Sequence, residues 1–560
     1  MDTLSLWLQW CHAWCSIAIV LIVHWIFEPL KNWISEQFSH HRKEQRSQNM
    51  SEKKKRIAII GGGFSGAGSI IMLKEENMDP VCFEKTDKLG GTWCYREDII
   101  DGVASIMPTT IINNSKEMGG FSTFPPPKEY PNYMRHWQLY EYFKMYCEKY
   151  DCMKHIQFNM EVIEVKRTED YDQTGRWRVT AKNTVTGEEF TDEFDGVMVC
   201  VGHINRPQIP DFPGLNKFKG KVMHTHSLKD VSEFKDQRVL VVGTGCSALD
   251  AAVETSSVAE QIYMSTRTGA YVLGRLGPFG YPVDTVFLRR FVANLMDILP
   301  TNFCSYFLEK SLIDSKFHHT LYAVPPKYHV LSKDPIVSDY IGAKLLSGSV
   351  IQQNDIDEFT EDGVIFKGED RVTKVDKVIM ATGYTWDFPF LEKGIVTEKD
   401  GKINLYKLMY PPHLKHPTLA IIGFILPFGP GMPLGELQCR WAAHIFAGKG
   451  SLPSKEIMLK DINRRHNMNK RRYAPSEKMT LRVDYVQYMD EIASRFGVKP
   501  NLLKLFFTDI KLFWKLYWGP CYPYQYRLQG PHSWEGARDA IMKAEERILF
   551  PLRAKNCKSK

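Results

Sequence analysis

Cysteine pairs at metal-binding or redox spacing are missing from this chain. Its 560 residues include 12 cysteines, but these are scattered and none form a Cys-x-x-Cys motif. The absence argues against a zinc site and against the paired cysteines of a disulfide reductase, so we expect no metal. Scattered cysteines in a long chain indicate free thiols and a reducing compartment.

A strong charge of either sign is missing as well. Lys and Arg number 72 against 65 Asp and Glu, a net charge of +7, and no nucleic-acid-binding motif accompanies this small excess. Nucleic acid is therefore not an expected partner. With 44% hydrophobic and 12% aromatic residues, a chain of this length can fill more than one large core, which predicts several domains.

Charged side chains are absent from residues 4–27, which are rich in Trp, Leu, Ile and Val. Such a run can cross a hydrocarbon layer of roughly 30 Å as a helix, so we interpret residues 4–28 as a transmembrane anchor. A cleaved signal peptide is one alternative, although Asp2 precedes the run where a basic start is expected. A buried core helix is the other alternative.

Residues 29–55 form a basic linker behind this run. From Lys31 to Arg56 there are eight Lys or Arg against three Glu. The linker either lies over anionic membrane lipid or is simply solvated, and both interpretations are open. Because the positive flank follows the apolar run, the positive-inside rule predicts that the bulk of the protein faces the cytoplasm.

Glycines mark the first of two nucleotide-binding patterns. An apolar strand at residues 56–60 runs into a Gly-x-Gly-x-x-Gly motif at residues 61–66, and an apolar, helix-like run follows. Glycines there let the backbone approach a pyrophosphate, and the helix N-terminus offers unpaired N–H groups. A second strand, at residues 80–84, ends in Glu84, which suits the ribose of a dinucleotide without a 2′-phosphate, such as FAD.

A second pattern of the same kind begins with a strand at residues 238–242. Gly243-x-Gly245-x-x-Ala248 opens the next helix, and the strand after that helix leads to Arg267. A guanidinium in place of the usual acid suits the 2′-phosphate of NADPH. The two patterns together therefore predict an FAD site and an NADPH site.

The order of these patterns predicts the fold class, which is α/β with two Rossmann-like dinucleotide-binding domains and an N-terminal transmembrane helix. A Pro-rich crossing at residues 207–213 separates the patterns. A strand at residues 374–380 is expected to return the chain to the first domain, which makes the NADP domain an insertion in the FAD domain. The predicted domains are residues 56–210 and 374–500 for FAD, 211–373 for NADP, and 501–560 for a C-terminal membrane-proximal segment.

The C-terminal segment contains a basic, aromatic stretch. Residues 502–518 interleave three lysines with Leu, Phe and Trp. A helix of this composition either lies in a membrane interface or packs against the domain. The sequence leaves both interpretations open.

Several further motifs accompany the two glycine patterns in a fixed order. They are Gly-Gly-Thr-Trp at residues 90–93, Asn-Asn-Ser-Lys-Glu-Met at 113–118, Ala-Thr-Gly-Tyr at 381–384, Gln-Tyr-Arg-Leu at 525–528 and Trp-Glu-Gly-Ala-Arg at 534–538. With the glycine patterns, they resemble the flavin-containing monooxygenases over residues 56–553. The glycine motifs alone are generic, whereas their order with Asn-x-Ser-Lys-Glu-Met and Trp-Glu-Gly-Ala-Arg is specific.

The resemblance implies an enzyme in which NADPH reduces the flavin, O2 adds to form a C4a-hydroperoxyflavin, and a soft nucleophile takes the distal oxygen. The substrate would be an amine or a sulfide, oxygenated at N or S as in xenobiotic metabolism. The cofactor carries the difficult chemistry, so no nucleophilic triad is expected. The implied location is the endoplasmic reticulum membrane with the catalytic domains in the cytoplasm, and a homodimer is left open.

The sequence departs from the family pattern in two places. The fingerprint Phe-x-Gly-x-x-x-His-x-x-x-aromatic falls on residues 218–228, where Phe218, Gly220 and His224 match but Leu228 replaces the aromatic residue. Leu228 keeps a Baeyer–Villiger monooxygenase or an uncoupled NADPH oxidase as alternatives. A non-enzymatic flavin-binding scaffold is disfavoured because both glycine patterns are intact. The second departure is the anchor, since animal microsomal members usually carry a C-terminal hydrophobic tail.

The resemblance also implies roles for individual residues. Asn113 would lie at the flavin edge as the catalytic residue, whereas His224 is expected to be structural. The residues expected to bind FAD are Gly61, Gly62, Gly63, Phe64, Ser65, Gly66, Glu84, Thr92, Trp93, Ile112, Asn113 and Asn114. The residues expected to bind NADP are Gly243, Gly245, Ser247, Ala248, Leu249, Asp250 and Arg267, the last of these on the 2′-phosphate.

Overall fold

The computed structural model describes residues 54–314, 316–397 and 402–553 of the chain. The predicted transmembrane anchor and residues 29–53 of the predicted linker lie outside the described residues. Within the described ranges, no helix is both long enough and apolar enough to cross a membrane.

The first domain is built on a five-stranded parallel sheet. Its strands are apolar runs buried on both faces, as is usual when helices cover both sides of a parallel sheet. In spatial order they are Leu419–Ile421, Gly196–Val199, Arg56–Ile60, Asp79–Phe83 and Ile156–Gln157. The edge strand from the C-terminal half makes this domain discontinuous in sequence, as predicted.

The second domain is built on another five-stranded parallel sheet. In spatial order its strands are Val350–Gln353, Gln261–Ser265, Arg238–Val242, Lys377–Met380 and Lys221–His224. The predicted return of the chain to the first domain at residue 374 is therefore wrong, because Lys377–Met380 is hydrogen-bonded between two strands of the second sheet. Residues Val378, Ile379 and Met380 are fully buried there.

The chain passes between the two domains along two adjacent segments. Arg206–Pro207 leads into the second domain, and Tyr384–Thr385 leads out of it. The two segments pair as antiparallel strands, with Pro207 opposite Tyr384. The predicted crossing at residues 207–213 thus agrees with the structure, and the return crossing lies about one strand later than predicted.

Smaller sheets and strand pairs complete the architecture. Met160–Arg167, Trp177–Asn183 and Glu189–Phe194 form an antiparallel sheet beside the first domain, and Ile356–Phe359, Gly363–Phe366 and Thr373–Lys374 form one beside the second. Two short parallel pairs join Val272–Leu273 with Ile336–Val337 and Leu426–Phe428 with Arg482–Asp484.

The helices of the described residues pack around these sheets. They are Phe64–Glu75, His136–Lys149, Tyr171–Thr174, Cys246–Thr255, Asp284–Phe287, Arg290–Ile298, Thr301–Leu308 with its π-helical continuation Glu309–Ile313, Ile341–Leu346, Gly431–Phe446, Lys455–Arg472, Tyr485–Ala493, Leu502–Thr508, Ile510–Tyr517 and Ala537–Leu549. Phe64–Glu75 and Gly431–Phe446 are almost entirely buried and pack against each other in the first domain.

One segment inside the predicted NADP domain packs on the first domain instead. Leu288 and Ala293 belong to the apolar core of the first domain. The buried guanidinium of Arg290 bonds the Asp490 carboxylate at 2.8 Å, and the Phe291 ring contacts Trp518 with 4.3 Å between ring centroids. The two domains therefore share an interface that the linear domain boundaries do not show.

The C-terminal stretch forms two short helices rather than one. Leu502–Thr508 ends at Asp509, whose side chain then caps Ile510–Tyr517 by accepting a hydrogen bond from the backbone N–H of Leu512 at 3.1 Å. The second helix buries Phe513 and Leu516 but leaves Trp514 60% exposed. One face thus packs on the protein, as one of the two interpretations predicted, and an aromatic face stays in solvent.

Candidate functional site

The first glycine loop fits tightly against its neighbours. Gly61 has a φ of +101°, and a Cβ there would lie 2.8 Å from the carbonyl oxygen of Cys200. A Cβ on Gly66 would lie 2.0 Å from the carbonyl oxygen of Gly61, so no larger residue fits. Gly63 is the N-cap of helix Phe64–Glu75 and has no side chain to cap its first N–H groups. Those N–H groups are the donors that a pyrophosphate needs.

A second glycine pair supports this loop from behind. The N–H of Gly90 donates to the carbonyl oxygen of Gly62 at 3.0 Å. A Cβ on Gly91 would lie 3.2 Å from the Cα of Gly63, so the two backbones touch. The close pass is possible because both Gly90 and Gly91 adopt positive φ, at +119° and +54°.

Glu84 lies at the end of its strand, as the sequence predicts for a ribose-binding acid. One carboxylate oxygen accepts the N–H of Gly62 at 2.6 Å, and the other accepts the N–H of Thr86 at 2.9 Å and its hydroxyl at 2.7 Å. These bonds fix the carboxylate at the mouth of the glycine loop, where its remaining lone pairs can accept ribose hydroxyls.

A cavity of about 570 Å³ lies beside the loop, within the first domain. We call it the cradle cavity. Its volume suits a cofactor or drug-sized ligand. Two of the predicted FAD residues, Gly62 and Gly66, do not line the cavity; they allow the close backbone packing of the glycine loop. The predicted FAD residues that line it are Gly61, Gly63, Phe64, Ser65, Glu84, Thr92, Trp93, Ile112, Asn113 and Asn114. A tight glycine cradle, an uncapped helix and an acid at the ribose position fit a flavin dinucleotide.

The motif that follows Asn113 consists of buried anchors. Lys116 is fully buried and donates to the carbonyl oxygens of Lys128 and Tyr130, both at 2.7 Å, while burial lowers its pKa to about 8. Glu117, also fully buried, accepts from the Tyr524 hydroxyl at 2.8 Å and from the Arg547 guanidinium at 2.9 Å. The motif therefore holds the loop that carries Asn113 in place.

Asn113 itself bridges the two domains. Its Nδ2 lies 3.5 Å from the Sγ of Cys246, the first residue of helix Cys246–Thr255 in the second domain. Its Oδ1 accepts a hydrogen bond of 2.8 Å from Arg275, also in the second domain. A residue of the cradle cavity's wall thus contacts the helix that follows the second glycine loop.

The second glycine loop is built like the first but has open space in front. Gly243 has a φ of +123°, and a Cβ there would lie 2.6 Å from the carbonyl oxygen of Ala381. Apart from Gly245 and its chain neighbours, no described residue has an atom within 4 Å of the place that a Cβ on Gly245 would take. Gly245 is also the N-cap of helix Cys246–Thr255 and offers no side-chain cap. This arrangement fits a second dinucleotide phosphate.

Two of the residues predicted to bind NADP have side chains buried in the second domain. Ala248 and Leu249 point into the apolar core of the second domain and are 0% and 2% exposed. Their N–H groups bond the carbonyl oxygen of Gly245 within the first turn. Ser247 remains exposed. Asp250 lies half-buried, and burial raises its pKa to about 6 while the charge of Arg275 opposes that rise.

Arg267 is an exposed cation at the end of its strand. Among the described residues, no ion pair joins it to a carboxylate. Burial and the charge of Arg267 both lower the pKa of Lys333, whose ammonium bonds the Thr268 hydroxyl at 2.7 Å. Two neighbouring cations fit the 2′-phosphate predicted for this position.

The fingerprint at residues 218–228 forms part of the second domain's framework. A Cβ on Gly220 would lie 2.3 Å from the carbonyl oxygen of Asp376, and Phe218 packs in an apolar cluster. His224 is buried, and burial lowers its pKa to about 4, so it is neutral at neutral pH. Leu228 is 1% exposed in the same core as Val239 and Leu249. It fills core volume and does not line the cradle cavity.

Sequence reasoning missed three residues near Asn113. Arg275 and Cys246 contact its side chain, and Asp339 binds Arg275; each lies far from Asn113 along the chain. Arg275 is separated from it by 162 positions. A single arginine after a strand carries no motif, so only the folded contact identifies it.

Comparisons with known proteins agree with this geometry. The family model described as flavin-binding monooxygenase-like matches residues 54–560. Flavin-containing monooxygenase 5 of Homo sapiens is 44% identical over 501 residues, covering 89% of this chain and 93% of that protein. The N-oxide-forming dimethylaniline monooxygenase 2 of Mus musculus is 42% identical over 507 residues, covering 90% and 94%.

A solved structure supports the fold. The S-allyl-L-cysteine S-oxygenase from Allium sativum superposes with a TM-score of 0.61 at 23% identity, covering 88% of this chain and all of that one. At this identity the likeness establishes the fold alone. The family match and the two curated relatives together confirm the resemblance read from the motifs. The chain belongs to the flavin-binding monooxygenase-like family.

Proposed function

We propose that this protein oxygenates soft nucleophiles, amines at nitrogen or sulfides at sulfur, with NADPH as reductant and O2 as oxidant. As a member of its family it is a flavin-dependent monooxygenase that uses FAD and NADPH. One observation carries the finer proposal. Asn113 lines the cradle cavity of the first domain and also contacts Cys246 at the start of the second nucleotide helix.

The first domain is proposed to hold FAD. The loop from Gly61 to Gly66 would bind the pyrophosphate through backbone N–H groups, and Glu84 would accept the ribose hydroxyls. Ile112, Asn113 and Asn114 would then lie beside the ring system in the cavity wall. When bound, the flavin supplies hydride acceptance from NADPH and reaction with O2.

The second domain is proposed to hold NADP. The open face at Gly245 leaves room for the pyrophosphate, and the first N–H groups of helix Cys246–Thr255 would donate to it. Arg267 and Lys333 would bind the 2′-phosphate. Ala248 and Leu249 would support this helix through the packing of their side chains in the core of the second domain.

The protein's own part in the chemistry is to position groups and exclude water. The wall of the cradle cavity includes apolar and aromatic side chains such as Trp93, Phe390 and Leu426. Such walls limit water around reactive species. Asn113 lies where the two domains meet, and its amide N–H groups would donate to an acceptor atom of a bound cofactor.

The protein is further proposed to lie on the cytoplasmic side of the endoplasmic reticulum membrane. Two observations support this location. Residues 4–28 have the composition of a spanning helix. The helices Leu502–Thr508 and Ile510–Tyr517 leave an aromatic face in solvent, with Phe507 77% exposed. We name this surface the aromatic face: Leu503, Phe506, Phe507, Ile510 and Trp514.

The oxygenation proposal is tested by tracing oxygen under 18O2. The full chain, purified in detergent with its flavin, is given NADPH and either a tertiary amine or a thioether. We expect an N-oxide or S-oxide that carries one 18O atom per NADPH consumed. An ester from a cyclic ketone substrate, without N- or S-oxide from the other substrates, would favour a Baeyer–Villiger enzyme. Release of H2O2 with no oxygenated product would favour an uncoupled oxidase.

A further inference from the structure

We infer that Arg275, held by Asp339, is a positioning residue that fixes the orientation of the Asn113 amide. The inference rests on the proposed function, because it concerns how Asn113 acts at the junction of the two domains. Both Arg275 and Asp339 belong to the second domain, whereas Asn113 belongs to the first. The orientation of Asn113 in the first domain therefore depends on where the second domain places Arg275.

The Arg275 guanidinium contacts three consecutive residues of the Asn113 loop. Nη2 donates to the carbonyl oxygen of Ile111 at 3.3 Å and to Oδ1 of Asn113 at 2.8 Å. Nε donates to the carbonyl oxygen of Ile112 at 3.4 Å. A planar guanidinium spreads its donors over three nitrogens and can make these bonds together with the one to Asp339, whereas an ammonium has its three donors on a single atom. The loop is therefore held at its backbone and at its functional side chain by one group.

Asp339 in turn fixes Arg275. Its Oδ2 lies 2.8 Å from Nη1 of Arg275, and its Oδ1 accepts the backbone N–H of Arg275 at 2.7 Å. The carbonyl oxygen of Arg275 accepts the Tyr133 hydroxyl at 2.7 Å, a contact from the first domain. Arg275 is only 9% exposed, so its charge needs a partner, and the carboxylate of Asp339 supplies one.

These contacts determine which way the Asn113 amide points. Amide oxygen and nitrogen are often hard to tell apart, but an arginine can only donate hydrogen bonds. The amide atom that faces Arg275 must therefore be the oxygen. Nδ2 is left on the side of Cys246 and the cavity, as a donor. Without the guanidinium, the amide could turn over and present an acceptor there.

The experiment uses the flavin-loaded full chain with Arg275→Gln, Asp339→Asn and Asn113→Asp. Coupled turnover converts NADPH, H⁺, O2 and substrate into NADP⁺, water and oxygenated substrate, whereas uncoupled turnover yields NADP⁺ and H2O2. We expect R275Q and D339N to lower product formed per NADPH about ten-fold or more, with H2O2 accounting for the difference. The R275Q/D339N double variant should lose no more than R275Q alone.

The Asn113→Asp variant distinguishes an effect on the hydrogen-bonding groups at position 113 from an effect on the stability of the protein. A carboxylate at position 113 would form an ion pair with Arg275 but would lack the Nδ2 donor. N113D should therefore unfold at the wild-type temperature or above it, yet lose coupling as R275Q does. Arg275→Lys should recover coupling only in part, because an ammonium has its three donors on one atom and cannot replace all the guanidinium's bonds to the loop and to Asp339.

A second readout does not depend on turnover. NADP⁺ added to the oxidised flavoprotein is expected to perturb the flavin absorbance spectrum in the wild type, and this difference spectrum should change in R275Q and N113D. Arg238→Gln is the matched control, because Arg238 pairs with Asp376 at 2.7 Å in the second domain without contacting the Asn113 loop. R238Q should retain both the spectrum and the coupling.

The inference is overturned if R275Q and D339N lower the unfolding temperature but keep the wild-type product ratio and difference spectrum. That result would make the pair purely structural. A wild-type protein that gives no oxygenated product would instead overturn the proposed function. The NADP⁺ difference spectrum would still decide whether Arg275 orients Asn113.

Discussion

Arg267 is the residue proposed to bind the 2′-phosphate, the group that distinguishes NADPH from NADH. We expect Arg267→Gln to weaken NADPH binding about ten- to hundred-fold, because a charged hydrogen bond to phosphate contributes roughly 1.5–3 kcal/mol. NADH binding should change little, since NADH has no 2′-phosphate. Dissociation constants for both nucleotides, measured by titration of the flavoprotein, check this. Equal losses for NADPH and NADH would contradict the assignment, and Lys235→Gln, an exposed lysine of the same domain, is the control.

Asp284 is a second residue whose chemistry is set by its surroundings. It is 5% exposed and accepts the N–H of Ser115 at 2.6 Å, and burial raises its pKa from 3.8 to about 6. Because the folded protein favours the protonated form, this group's contribution to stability is complete below pH 3.8 and is lost as pH rises through 6. Between pH 5 and 7.5 the loss is roughly 1–1.5 kcal/mol.

Asp284→Asn keeps an acceptor for Ser115 but removes the titration. The stability of D284N relative to the wild type should therefore increase as pH rises from about 5 to about 7.5. Thermal unfolding midpoints recorded across this range check it. Asp98→Asn, at an exposed position, should show no such trend. A constant difference between D284N and wild type at all pH values would rule out the raised pKa.

The helix Ala537–Leu549 is an element whose attachment depends on a buried carboxylate. Arg547 on this helix bonds Glu117, which is fully buried, at 2.9 Å. Arg547→Met would leave that carboxylate without its guanidinium partner, and breaking a buried pair costs about 3–5 kcal/mol. We expect a large fall in the unfolding temperature and faster hydrogen exchange in the helix.

The same helix contains its own control. Lys543 pairs with Asp539 at 2.9 Å, but both side chains are more than half exposed. Lys543→Met should therefore change stability by about 0.5 kcal/mol or less. If R547M were no less stable than K543M, the buried pair would not secure the helix.

Elements with a strong local pattern could be predicted from the sequence. The strands Arg56–Ile60 and Arg238–Val242 and the glycine loops after them follow from apolar runs, glycine spacing and the residue types at Glu84 and Arg267. The sheet to which Lys377–Met380 belongs could not be predicted, because an apolar run fits the middle of either sheet. Likewise, nothing near Arg275 in the sequence signals its contact with Asn113, which only the packing of two domains creates.

At the scale of the whole molecule, the aromatic face lies on the C-terminal helices, and none of its five residues lines the cradle cavity. If this face lies in a bilayer, a polarity-sensitive probe attached at Phe507→Cys should emit at shorter wavelength and be quenched by lipid-borne quenchers. The measurement uses the full chain in phosphatidylcholine and phosphatidylserine vesicles. The described native thiols are buried or half-buried, which favours labelling at the new site.

Val185→Cys provides the matched control, because Val185 is 76% exposed at a turn of the antiparallel sheet Met160–Arg167, Trp177–Asn183 and Glu189–Phe194. A probe there should respond to aqueous quenchers only. If the probes at positions 507 and 185 behaved alike, the aromatic face would not touch the membrane.

The two paired crossing segments explain how one domain can be inserted into another at low entropic cost. Pro207 and Tyr384 lie opposite each other in one antiparallel pair. The second domain is therefore inserted into the first domain like a long loop whose two ends are adjacent. The entropy of closing a loop grows only logarithmically, by about 0.6 kcal/mol for each doubling of its length. A longer or shorter unit can therefore be accommodated at this point, while the first domain keeps its own strand order, provided that the segment with Leu288 and Ala293 still completes its core.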